Sequence, residues 1–118
     1  MKKASAKTLV PLTHTTYYIL LSLTEPMHGY GIMNKVDELS QGQVKLGPGT
    51  LYGALAKLEK QGVIKKLEQA TDERRKHYEL TSLGAEVVQL EYNRLVSLVK
   101  QSEGILSNTG HESNRGEQ

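Results

Sequence analysis

The spacing of apolar positions changes several times along the chain, and each period predicts an element. Tyr17 to Leu23 is apolar around most of a helical circumference. This predicts a helix from near Thr13 to before Pro26 that is buried on more than one side. Ile32, Met33, Val36 and Leu39 share one helical face, which predicts an amphipathic helix from about His28 to Leu39. Ser40-Gln41-Gly42 closes it, with Gly42 as a left-handed cap. Leu51, Leu55 and Leu58, four and three apart, stripe a third helix that opens on Gly47-Pro48 and closes at Gly62. Proline suits the first helical position because the N–H it lacks has no partner there. The period then drops to two. Val63–Glu68 and Arg75–Leu80 flank the polar turn Gln69–Arg74 as a β-hairpin, and Val44-Lys45-Leu46 reads as an extended piece that pairs with it. Thr81-Ser82 caps a final helix running to about Ser107, some 36 Å at 1.5 Å per residue. Val88, Tyr92, Leu95, Val99, Ser102 and Leu106 repeat along it at four and three, the spacing of a coiled-coil seam. Leu83, Val87, Leu90, Leu98 and Ile105 form a second stripe beside it. Two apolar stripes imply two partners, the helix's own domain and a second subunit.

These elements make a mainly α chain with a small β-hairpin, in the order of a winged helix-turn-helix followed by a long dimerisation helix. The expected units are a loose basic arm at 1–11, a DNA-binding domain at 12–80, a dimerisation helix at 81–107 and a disordered tail at 108–118. One domain of ordinary size fits the 118 residues. With six Tyr and neither Phe nor Trp, its core is modest, and a second copy would add to it. Absence of Cys excludes disulfides and thiol chemistry and suits a reducing cytoplasm, the expected location. The run Tyr17–Leu23 is too short to span a bilayer, and no secretion signal is evident, so no membrane partner is expected.

Charge sharpens the picture. The net value is only +2, yet residues 43–78 carry eight Lys or Arg against four acids, while residues 79–118 carry three against six. A polyanion is drawn to one side of such a molecule. The third helix turns Gly49, Gly53, Ala56, Lys57 and Lys60 away from its leucine stripe, with Thr50 and Tyr52 on the flanks. Small residues weaken an exposed helix but let it sit deep in a major groove about 12 Å wide. The candidate DNA contacts are Lys45, Gly49, Thr50, Tyr52, Gly53 and Lys57, with Arg74, Arg75 and Lys76 at the wing placed for phosphates. Tyr52 reads equally well as a core residue. The alternative is a winged-helix module that binds protein rather than DNA, and such a face would offer apolar anchors where this one offers Gly, Ala and Lys.

Nothing in the pattern suggests catalysis. The four His, at 14, 28, 77 and 111, have no metal-ligand spacing, and Gly29-Tyr30-Gly31 lacks the strand and third Gly of a phosphate loop. No metal, cofactor or enzymatic activity is expected. His28, at a helix start, reads as a cap.

Three blocks carry a resemblance. They are His28-Gly-Tyr-Gly-Ile32; Pro48-Gly-Thr-Leu-Tyr52 running into Leu55-Ala-Lys-Leu-Glu-Lys-Gln-Gly-Val-Ile64; and Arg74-Arg-Lys-His-Tyr-Glu-Leu-Thr81 with Gly84. In this order, over roughly residues 12–105, the chain resembles the PadR family of transcriptional regulators, in particular its shorter members with one C-terminal helix. The resemblance implies a homodimeric repressor on a two-fold symmetric double-stranded operator. The recognition helix would be Pro48 to Gln61 and the wing Ile64 to Leu80. The C-terminal helix would dimerise against the first helix of the partner, through Leu83, Val87, Val88, Leu90, Tyr92, Leu95, Leu98 and Val99. It also implies a small-molecule effector at the dimer interface, where Tyr92 is the one aromatic on the seam.

Overall fold

The computed structural model describes residues 5–67 and 76–117, with side chains to residue 108. Four helices and three short strands follow one another as α1 (His14–Ser22), β1 (Met27–His28), α2 (Gly29–Leu39), α3 (Pro48–Lys60), β2 (Ile64–Leu67), β3 (His77–Leu80) and α4 (Ser82–Glu117). Each start has a local cause. Thr13 Oγ1 accepts the Thr16 N–H at 3.1 Å, and His28 Nδ1 accepts the Gly31 N–H at 3.0 Å, each satisfying a donor the helix cannot use. Pro48 opens α3 without a side-chain cap. Thr81 Oγ1 accepts the Gly84 N–H at 3.0 Å. Gly42 and Gly62 take the left-handed conformation, with φ of 82° and 83°, and end α2 and α3 as their positions predict.

The helices close on a core of Ile19, Leu20, Leu23, Ile32, Val36, Leu51, Leu55, Val63, Ile64 and Val87. The leucine stripe of α3 is buried throughout. The strands form an antiparallel sheet in the order β1-β3-β2, with Met27 opposite Tyr78 and Ile64 opposite Leu80.

Three expectations need correction. The third strand is Met27–His28, not the 44–46 segment. The reason is that Ser40 claims that backbone: its Oγ accepts the Val44 N–H at 2.9 Å, so the loop is satisfied beside α2. The N-terminal arm is not loose where it is described. Ala6–Leu9 forms a 3-10 turn with Ala6 buried, and Leu9, Val10 and Leu12 pack on the core. Finally, α4 does not end near Ser107. It runs 36 residues to Glu117, about 54 Å, so the backbone of 108–117, expected as a disordered tail, is helical. No proline interrupts it, and Gly104 is carried inside.

The start of α4 is welded to the wing. A Cβ on Gly84 would fall on the Val63 carbonyl oxygen, so only glycine permits this approach. Thr81 adds a bond from its hydroxyl to the Gly62 carbonyl, and its N–H bonds the Val63 carbonyl at 3.0 Å.

Candidate nucleic-acid interface

The outer face of α3 is exposed from end to end. Gly49, Thr50, Gly53, Ala56, Lys57 and Lys60 all face solvent, and Cβ atoms built on Gly49 and Gly53 would meet nothing within 4 Å. Those two glycines therefore pack against no other part of the described chain. The face is a shallow strip with lysines along one side. No acid lies in its first turn, and Lys57 and Lys60 occupy its last.

Tyr52 is not a core residue. It is 47% exposed, yet its hydroxyl lies so close to Gly29 that a Cβ there would collide with it. The ring bridges the start of α2 and the open face of α3. Beneath it, burial first, then the nearby Tyr52 and Glu59, raise the Tyr78 phenol above its ordinary range. Close by, the His28 ring lies edge-on to His77 at 5.6 Å and stacked near Tyr30 at 6.5 Å. Tyr30 is exposed and joins this surface, although no contact role for it follows from the sequence pattern.

The remaining basic candidates divide. Lys45 is exposed but pairs with Asp37 at 3.2 Å; such surface pairs are worth about 0–1 kcal/mol, so this one opens readily. Lys76 is exposed at the start of β3. Arg74 and Arg75, the expected wing-tip contacts, lie outside the described residues. Lys65 and Lys66 on β2 are both exposed, and Lys65 pairs with Glu79 at 3.4 Å. Alternation alone would have turned one of them inward. β2 lies at the sheet edge, next to β3 only, and leaves both outside.

The expected dimer seam needs a partial correction. Val87 is 0% exposed within its own chain and has no surface left for a partner. Leu83, Val88 and Leu90 are half-buried against the same core. The exposed apolar surface begins one turn later, with Tyr92, Leu98 and Val99, and continues through Ile105 and Leu106; Leu95 is half-buried among them. Tyr17 of α1 and Tyr92, Leu95, Val96, Val99, Lys100 and Glu103 of α4 line an open, largely apolar groove of about 420 Å³. Between the inward and outward stretches sits Glu91, which is 2% exposed. Its position in the apolar repeat, four residues from both Val87 and Leu95, was the available signal of a buried charge.

Among the described residues no helix is long and apolar enough to cross a membrane, and no group of three or more His, Asp or Glu is placed to hold a metal ion.

Comparison with known proteins connects these features. A curated protein of Streptomyces fradiae, described as an uncharacterised 37.1 kDa protein in transposon TN4556, is 36% identical over 81 residues. The match takes in 68% of this chain and 22% of that protein, so the chain spans about a fifth of its relative's length. Among solved structures, a PadR family transcription regulator from hypervirulent Clostridium difficile superposes with a TM-score of 0.68 at 24% identity, covering 80% of this chain and 99% of that one. RosR of H. salinarum gives 0.65 at 23%, covering 87% and 97%. A transcriptional regulator from Clostridium thermocellum gives 0.61 at 22%, covering 80% and 90%. At these identities the likeness establishes the winged-helix fold. The sequence profile of the Transcriptional regulator PadR-like family matches residues 19–90, a span that runs from the middle of α1 through the wing into α4. With more than half of its length matched, the chain belongs to the PadR-like family of transcriptional regulators.

Proposed function

We propose that the chain is a sequence-specific DNA-binding repressor. It acts as a homodimer on a two-fold symmetric operator in the cytoplasm, reading each half-site with α3 and gripping flanking phosphates with the basic wing. The observation that carries this reading is the open face of α3, where Gly49 and Gly53 meet nothing and Lys57 and Lys60 stand beside them. A helix that spends stability on exposed glycines gains close approach to a groove in return. Thr50 and Tyr52 at its start reach base edges or phosphates. Gly49 and Gly53 give clearance, and Lys45, Lys57, Arg74, Arg75 and Lys76 meet the backbone.

The subunits join through Tyr92, Leu95, Leu98 and Val99, against α1 of the partner. The apolar groove beside Tyr17 and Tyr92 is where a small-molecule effector would bind and release the DNA.

Fluorescence anisotropy with DNA from upstream of the chain's own gene, scrambled DNA as control, and a salt series tests the proposal. With roughly 6–10 phosphates neutralised per dimer, affinity should fall about 10³–10⁵-fold between 50 and 200 mM salt. A flat salt response would rule the reading out. Arg75→Ala should weaken binding to operator and scrambled DNA alike, because a phosphate contact is blind to sequence. Absence of binding at low salt would favour a protein-binding module.

A further inference from the structure

Glu91 is a carboxylate inside an apolar helix face, and all its bonds are made. Oε1 accepts the Leu12 N–H at 3.1 Å and the Arg94 Nε–H at 3.1 Å, and Oε2 accepts from the Arg94 guanidinium at 2.6 Å. The pair is only half-buried, with the Arg94 side chain 38% exposed, and apolar residues of similar volume often stabilise a core as well as a buried carboxylate does. What an apolar residue would not supply is a directional bond to one backbone amide. That amide belongs to the segment 9–13, where Leu9, Pro11, Leu12 and Thr13 form one wall of a cavity of about 180 Å³. The facing wall is Ala54, Lys57, Leu58 and Gln61, the C-terminal half of α3. Most of the contacts that segment makes are apolar and tolerate sliding. The bond from Glu91 sets its register.

We infer that Glu91 is a positioning residue for DNA reading: it pins residues 9–13 to α4, and the pinned segment fixes one wall of the cleft that borders the second half of α3. The inference builds on the DNA-binding reading above. Lys57 belongs both to the wall of this cleft and to the proposed DNA face, so a segment that slides changes the surroundings of a contact residue without removing it. Glu91 itself lies in the core and touches no DNA.

The test compares the full-length chain with its Glu91→Leu variant, which has no acceptor for the Leu12 N–H, on the DNA that the wild type binds, together with amide hydrogen exchange of both proteins without DNA. The expected result is an affinity lower by about tenfold, with a salt slope reduced by no more than the one phosphate contact of Lys57. Exchange should quicken at Leu12, Thr13 and residues 57–61 while the dimer persists. A role confined to stability would lower the melting temperature and leave affinity well below it untouched, and that result would overturn the inference. If Glu91→Leu does not fold, Leu12→Pro removes the same hydrogen bond from the other side and leaves the Glu91–Arg94 pair in place. Wild-type affinity in folded Leu12→Pro would equally overturn it. A wild type that binds no DNA overturns the DNA-binding reading and this inference together, whereas wild-type binding with unchanged variants overturns this inference alone.

Discussion

A methyl group added at Gly53 enters open space, so Gly53→Ala should strengthen α3 by up to about 1 kcal/mol. The same methyl thickens the face proposed to enter the groove. Urea denaturation should therefore show a gain in stability and anisotropy a loss of DNA affinity in one variant; a gain in both would detach this face from DNA. Gly84→Ala points the other way. Its methyl would meet the Val63 carbonyl, part of the backbone and unable to swing aside, so a loss of about 1–3 kcal/mol is expected in the same denaturation experiment. The sequence contains both glycines, but only the packing separates their roles. Glu91 adds a pH effect. The Arg94 hydrogen bond first, then the Leu12 N–H and the Arg94 and His14 charges, outweigh burial and hold its carboxyl below the ordinary 4.5. The unfolded chain keeps the ordinary value, so this carboxylate contributes stability above 4.5 that is lost as pH falls through the lower folded value. Glu91→Gln should flatten that part of an acid-unfolding curve.

At the scale of elements, α4 is buried in the core at Val87 and exposed at Tyr92, Leu98 and Val99, and a pair of substitutions tests what each stretch does. Val87→Asp places an unpaired charge in the core and should abolish cooperative folding. Val99→Asp, on the exposed stretch, should leave the circular dichroism unchanged and weaken self-association about tenfold or more, as sedimentation would show. An unfolded Val99→Asp would mean that the exposed stretch is part of the core after all. Periodicity foresaw α2 and α3 closely, because each has an apolar stripe set against polar neighbours, and α1 because its apolar run is bounded by Thr13 and Pro26. It missed β1, since two residues cannot display a period. It also counted Leu83, Val87 and Leu90 toward the seam, although their own domain buries or half-buries them. Leu83, Val87 and Leu90 look the same in sequence whether the surface they meet belongs to their own domain or to another copy. The bare face of α3 was legible because small exposed residues contradict helix propensity and so point to a use.

For the whole molecule, the uneven spread of basic and acidic residues was readable from the sequence, but the close packing of the start of α4 on Val63 was not. A dimer held by the exposed stretch of α4 links stability to association, so the melting temperature should rise with protein concentration; a concentration-independent value would argue for a monomer. The weld at Gly84 reaches further. Val63, Thr81 and Gly84 lock together, which fixes the first turn of α4 to the base of the hairpin. Two such units joined through α4 would act as a ruler of fixed length laid along a twisting ligand. One extra base pair between half-sites turns one of them by about 35° around the DNA axis, and a stiff ruler follows only by bending the duplex. Affinity should then rise and fall with spacer length, repeating about every 10 base pairs, and the close approach of Gly84 to the Val63 carbonyl would determine how closely a spacer must keep phase.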